Sequence, residues 1–354
     1  MRNLSCILIL ILLVGCVENY TPKGIGEIGD LLVIEGKITD NISTFYLKRS
    51  VKLTIEMTGR EVVYNAKVYV EKDNGERISG QYVSNGIYNV PTGALDSETK
   101  YRLYVEIGNE AYQSEFLSPF FTPEIDGILP VKRREGEPVY ICVNTHDAKD
   151  QSRYYLWSYK EVWEVKTELE TQEKDTYYCW GRDSSNIMIL GSSEKVSENV
   201  IYQKRINEIP SDNDRISVLY YIMVEQNQIR KEAYDYYSNI QKNIEQTGSI
   251  FSPVPSEMKG NIRCITNLET PVIGFIDVST TVSKDVFIND EDWGLYEAPD
   301  KHCWGEISNV SMPEYTLYYQ SSNGDLYAPD RCVDCRKKEK VTKNRPDFWP
   351  NDHY

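Results

Sequence analysis

The residues with the most chemical potential in this chain are cysteines, eight among 354 residues. The sharpest local motif is Cys332-x-x-Cys335. Three chemistries suit that spacing. As structural thiols, either residue would bond to Cys179, Cys264 or Cys303, which fits an exported chain. As metal ligands, the pair would join Cys303 and the adjacent His302 in a Cys₃His zinc set. As a redox couple, the pair would have a thiolate favoured by Arg336, Lys337 and Lys338, although no clear βαβ context surrounds it. The structural reading weighs most, because oxidation competes with metal binding outside the reducing cytoplasm.

Other constellations are weaker. His146, His302 and His353 are the three histidines, which limits any mechanism needing several imidazoles. Asp212-Asn213-Asp214 and Asn289-Asp290-Glu291-Asp292 offer hard oxygen ligands, but neither has the full spacing and glycine of a calcium-binding loop. Solvated acidic turns are the expectation there. No Gly-x-Ser-x-Gly elbow, phosphate-binding loop or zinc-protease helix motif occurs. Carboxylates are abundant, yet nothing fixes the separation of any two as a hydrolytic acid and base. No catalytic residue, resident metal or cofactor is therefore expected. Twenty-seven tyrosines and six tryptophans could stack on sugars or grip peptides. Sheet packing is the default for Tyr154, Tyr155, Trp157, Tyr159 and Trp163, since such rings tolerate half-buried positions.

The N-terminus supplies an address. After Arg2 comes an apolar run from Leu4 to Val14, followed by Gly15-Cys16. The run has the length of a signal h-region and is too short for a mature membrane span. Leu13-Val14-Gly15-Cys16 resembles a bacterial lipobox, in which the cysteine is acylated and becomes the first mature residue. Cys16 is accordingly the expected lipidation site, and Cys6 leaves with residues 1–15. Residues 16–30, with Pro22, Gly24, Gly26 and Gly29, read as a flexible tether. Cys142, Cys179, Cys264, Cys303, Cys332 and Cys335 remain as disulfide candidates, and their spacing leaves the pairing open.

Composition narrows the class. A mean hydropathy of −0.50 excludes a polytopic membrane protein. A 12% aromatic share excludes a disordered chain, because that much ring surface can be buried against chain entropy. The net charge of −15 argues against nucleic acid as a partner, whose affinity would come from neutralised phosphates.

The elements that must position these residues are mostly strands. Leu31–Gly36, Ala66–Glu71, Gly86–Val90, Tyr101–Ile107 and Ala111–Phe116 alternate or run apolar between Gly/Asn/Asp turns. They predict an N-terminal immunoglobulin-like or transthyretin-like β-sandwich over residues 31–122. Pro119, Pro123 and Pro130 place a boundary near 123–131. A second β-rich domain is expected over 131–288, with strands at Val139–Val143, Tyr154–Val165, Ile187–Leu190, Arg215–Gln226, Val272–Ser279 and Val286–Ile288. Ala233, Tyr236, Tyr237, Ile240 and Ile244 recur at steps of three and four, which predicts one amphipathic helix over about 231–247, inserted in that domain. Residues 289–354 read as a cysteine-bearing extension lashed back by disulfides. The fold class is thus mainly β.

The second half resembles a family of envelope lipoproteins catalogued as domain-of-unknown-function family 4249. The likeness is carried by Trp157-Ser158-Tyr159 with Trp163, Cys179-Trp180, Glu232 to Tyr237, Gly248 to Phe251, Pro253 to Ser256, Gly260-Asn261-Ile262, Gly274-Phe275, Val286-Phe287-Ile288, and the tail Cys332 to Arg336 with Arg345-Pro346-Asp347-Phe348-Trp349. The family's Gly-Gly loop between the cysteine pair and the Pro-Asp-Phe-Trp segment is replaced by Lys337 to Lys343. The resemblance implies an outer-membrane lipoprotein, often encoded beside a TonB-dependent receptor, and it brings no catalytic residues. The function expected is a lipid-anchored accessory or binding protein of the outer membrane, held to the membrane through its N-terminal lipid. Its partner would be such a receptor, and its ligand a small molecule, glycan or peptide. An envelope hydrolase, a thiol-redox enzyme and a purely structural lipoprotein are the alternatives.

Overall fold

The computed structural model describes residues 31–50, 61–149, 151–171, 176–196, 198–246, 260–297 and 303–351. Cys16, His302, His353, residue 247 and the Pro253–Ser256 segment lie outside the described residues.

The first body is built from β1 (Leu32–Gly36), β2 (Asn41–Arg49), β3 (Glu61–Val62), β4 (Lys67–Lys72), β5 (Arg77–Ser79), β6 (Gln81–Ser84), β7 (Ile87–Gly93), β8 (Tyr101–Ile107) and β9 (Glu110–Ser114). Alternation explains the faces: along β8, Tyr101, Leu103, Val105 and Ile107 are buried while Arg102, Tyr104 and Glu106 are half-exposed. β1, β2, β7 and β6 form one sheet, with β3 on β2, and β9, β8, β4 and β5 form the other. Ile34, Phe45 and Leu47 from the first meet Val68, Val70, Leu103 and Val105 from the second in one apolar core.

The second body follows as β10 (Ile125–Val131), β11 (Val139–His146), β12 (Tyr154–Lys166), β13 (Tyr178–Ser184), β14 (Ile189–Ser192), β15 (Val200–Ile209), β16 (Leu219–Gln228) and helix α1 (Lys231–Gln246). β10, β11 and β15 make a small sheet. It covers a larger one, and Val139, Ile141 and Val143 of β11 share a core with Tyr155, Trp157 and Trp163 of β12. The aromatic run on β12 is therefore packing. Tyr155 stacks on Trp157 at 5.5 Å between ring centroids, and the Trp157 indole N–H donates to the Gln226 side chain at 2.8 Å. Helix α1 lies on the outer face of the larger sheet, burying Ala233 and Tyr236 against Tyr154, Leu190 and Phe275.

Two boundaries differ from the sequence reading. A domain boundary was expected near 123–131, and most of those residues form β10 of the second body, paired along β11 from Ile125–Thr145 to Val131–Tyr140. A strand with Pro130 can sit at a sheet edge, where no ladder N–H is needed from that residue. The second domain was expected to hold all of 131–288, but residues 260–279 return to the first body. Within them β17 (Ile262–Cys264) pairs with β9, and β18 (Val272–Ile273) pairs parallel to β1. Ile276 and Val278 are buried in the first core. The expected strand Val272–Ser279 is interrupted at Gly274, where three stretches of backbone converge. A Cβ on Gly260 would lie 1.7 Å from the Gly274 carbonyl oxygen, and one on Gly274 would lie 2.2 Å from that of Ile34. Only glycine permits that approach. β19 (Thr281–Asn289) then rejoins the larger sheet of the second body beside β16.

The chain thus crosses between the bodies more than once, and the junction is polar. Thr281 N–H donates to Asp40 at 2.9 Å, and the Lys37 ammonium donates to Asn227. Arg230, at the foot of α1, pairs with buried Asp277 and donates to the Ser118 carbonyl, with its guanidinium 4.3 Å from the Phe120 ring centroid. Burial raises the Asp277 carboxyl, opposed by the Arg230 charge.

The C-terminal extension contains α2 (Asp290–Trp293), β20 (Tyr315–Ser321), β21 (Gly324–Pro329), α3 (Asp330–Val333) and β22 (Val341–Thr342). The β20–β21 hairpin was not anticipated. β22 adds to the edge of β13, and two disulfides, Cys179–Cys335 and Cys303–Cys332, tie the extension together and to the second body.

Candidate functional site

Cys332 and Cys335 take different partners, Cys303 and Cys179, so they are not a redox couple with each other. The Cys₃His zinc set is likewise dissolved, because Cys303, Cys332 and Cys335 carry no thiolate once oxidised, and His302 lies outside the described residues. Cys142 and Cys264, also disulfide candidates, are free and buried. The reason is topological: Cys142 sits on β11 of the second body, and Cys264 sits on β17 within the first. Burial pushes the Cys142 thiol up, which makes it inert rather than nucleophilic. Both acidic stretches serve as local caps. Asn213 accepts from the Arg215 N–H at 3.0 Å, Asn289 accepts from the Glu291 N–H at 3.0 Å, and Asp290 accepts from Leu295 and Tyr296 N–H groups at 2.7 Å. His146 is exposed and paired with Asp126 at 2.8 Å.

A cleft of about 800 Å³ opens on the outer face of the second body where the tail crosses β12 and β13. Its floor is Lys160, Glu161 and Val162 from β12 with Arg182, Asp183 and Ser184 from β13; its wall is Arg345 to Phe348. The tail is fastened at this wall. The Trp349 indole N–H donates to Glu164 at 2.9 Å, and the ring is buried beside Val162 and Leu219. Arg345 donates to the Pro350 carbonyl at 2.7 Å and to the Asn351 side chain at 2.6 Å, closing the last turn on itself. Phe348, 52% exposed, is left at the rim, tilted against Tyr221 with ring centroids 4.7 Å apart.

Beneath the floor lies a buried polar network. Glu161 turns inward between the sheets and accepts from Arg215 at 2.7 Å, Asn207 at 2.8 Å and the Tyr220 hydroxyl at 2.5 Å. Arg215 also lies 4.6 Å from the Trp163 ring centroid. Burial raises the Glu161 carboxyl, against the pull of Tyr220 and Arg215, and burial with the adjacent carboxylate raises the Tyr220 phenol well above its ordinary value. Asp183, opposite Glu161 in register, is shifted the other way, lowered by the Lys340 ammonium at 3.0 Å and the Ser184 N–H. Carboxyls pushed apart in this way are a mark of acid–base sites. Here, however, Glu161 is occupied by three donors and Asp183 by Lys340, which is a structural use. The cleft can hold a polar ligand against one exposed ring.

A second exposed surface lies on the extension. Trp304 is 63% exposed and meets Tyr318 edge-on at 6.3 Å, and Leu317 and Tyr319 project from β20. Sequence reasoning missed both surfaces. One signal was available: Glu161 is a charge on the inward face of an otherwise aromatic strand, where only a partnered carboxylate survives burial.

A family model described as a domain of unknown function, DUF4249, matches residues 17–285. The Cys332–Arg336 and Arg345–Trp349 segments, part of the resemblance noted above, lie beyond that match. No curated protein matches the chain.

Proposed function

The chain belongs to the DUF4249 family, and from that premise we propose that it is a lipid-anchored outer-membrane accessory protein. Its role is to bind a ligand or partner rather than to catalyse, in nutrient capture beside a TonB-dependent receptor. The observation that carries this reading is Leu13-Val14-Gly15-Cys16 at the end of a short apolar run. Support comes from the disulfides of the second body, which belong to an oxidising compartment. The cleft walled by Phe348 and the exposed Trp304 surface add to it, as places where a glycan, peptide or receptor loop would rest. Two acyl chains on Cys16 would anchor stably, at about 0.8 kcal/mol per buried methylene.

The test is crosslinking in native membranes followed by purification. The expected result is recovery of a receptor or of a bound ligand with the protein. Recovery of the protein alone, from cells grown under several nutrient conditions, would count against a binding role.

A further inference from the structure

The described chain starts at one end of the first body, whereas the candidate binding surfaces lie on the second body and the extension. The described chain begins at Leu31, which exchanges hydrogen bonds with Ser50: the Ser50 N–H donates to the Leu31 carbonyl at 2.8 Å, and the Leu31 N–H to the Ser50 hydroxyl at 3.0 Å. Register places Leu32 opposite Arg49 and beside Val272, so one end of the first sandwich is defined by 31, 50 and 272. The segment 265–271, which joins β17 to β18, closes the same end. There Leu268 is 80% exposed and Ile265 38% exposed. The other end of the sandwich is the junction, where Ile38 N–H donates to Asp277 and Asp40 meets Thr281. From the junction β12 leads away: Tyr155 lies opposite Gln228, and Glu164 opposite Leu219. Beyond the end of β12, the Leu169 N–H donates to Cys332 of the extension.

We infer that the first sandwich is a spacer that stands on the lipid surface through its 265–271 end, with Leu268 and Ile265 in contact with lipid. The second body and its extension are thereby presented away from the membrane. The inference rests on the lipid-anchor reading above. The occupant of the apolar end is a bilayer, because the described chain begins at that end and the acylated residue of the lipid-anchor reading precedes it by 15 positions. The 15 residues from Cys16 to Leu31 reach at most about 50 Å even when fully extended. β2 alone, nine residues long, sets the junction about 30 Å from that end at 3.3 Å per residue, a span the tether could cover, so it is the apolar 265–271 end rather than tether length that selects this orientation.

The chain carries its own reporters. All six tryptophans, Trp157, Trp163, Trp180, Trp293, Trp304 and Trp349, lie in the second body and extension, and Trp293 and Trp304 are exposed. The full lipidated protein would be reconstituted into phosphatidylcholine vesicles with plain or brominated acyl chains, alongside Leu268→Trp. The expected result is that the native emission is unchanged by bromine, while the emission added by Leu268→Trp is lost. Quenching of the native tryptophans would overturn the inference, since the second body would then rest on lipid. An unquenched Leu268→Trp signal in protein that floats with the vesicles would overturn it too, leaving the anchor intact. Protein that fails to float would remove the anchor reading together with the inference.

Discussion

The two bodies are both β-sandwiches, yet they are stabilised differently. The first is held by an apolar core in which Ile34, Phe45, Leu47, Leu103 and Val105 are fully buried, and its one described cysteine, Cys264, is unpaired. The second buries Glu161, Glu164 and Gln226 and is tied to its tail by the Cys179–Cys335 disulfide, with Cys303–Cys332 bracing the tail itself. Apolar burial is non-directional and suffices to hold the first body together. Buried polar groups are costly unless every partner is in place. A body that carries them, and that carries a tail positioned by two crosslinks, is constrained to one arrangement. The candidate cleft lies on that side of the comparison, as do the exposed Trp293, Trp304 and Phe348.

The junction offers the largest break in this comparison. Arg230→Ala would strand the buried Asp277 carboxylate, at a cost of about 3–5 kcal/mol. Chemical denaturation at neutral pH would read this as a lower midpoint, and because chain segments cross the junction repeatedly, both bodies should respond. Next, the double variant Cys179→Ala with Cys335→Ala should cost about 2–5 kcal/mol. Hydrogen exchange would place the loss in 341–351 and in β13, with β8 of the first body unaltered. Loss of protection in β8 would remove the distinction drawn here. Trp349→Phe deletes a hydrogen bond to a buried carboxylate and should cost about 1.5–3 kcal/mol, opening the cleft wall while the core between the two sheets persists.

The smallest effect is a pH response. The Lys132 ammonium at 2.8 Å and the Gly136 N–H hold the Glu297 carboxyl down to about 2. A carboxyl lowered on folding adds stability above its ordinary value near 4.3, and that contribution is lost as pH falls toward about 2. Exchange measured at successively lower pH should show residues 295–297 releasing from the β10–β11 loop. Lys132→Met should flatten that dependence; an unchanged profile would show that the strap is not held by charge.

Much of the sandwich architecture was legible because alternation is a local signal. Tyr101–Ile107 and the start and aromatic face of β12 lie where the pattern placed them. The return of 260–279 to the first body was not legible, since parallel pairing of Val272 with Leu32 depends on contacts 240 residues apart. β15 was missed because Val200–Ile209 mixes Gln203, Lys204, Arg205 and Asn207 among its apolar residues, which hides the period of two. The disulfide pairing needed the fold, because only topology separates Cys264 from the cysteines near the tail. The cleft was illegible for a similar reason: Glu161 and Phe348 are 187 positions apart in the chain and meet only through the tail's return.

The central claim is that this is a membrane-tethered binding protein, and it depends on the fate of Cys16. Mass spectrometry of the protein extracted from native membranes measures that directly. The account predicts a mature chain starting at Cys16 and carrying fatty acyl groups. A chain that retains residues 1–15, or one whose Cys16 bears no lipid, would contradict it.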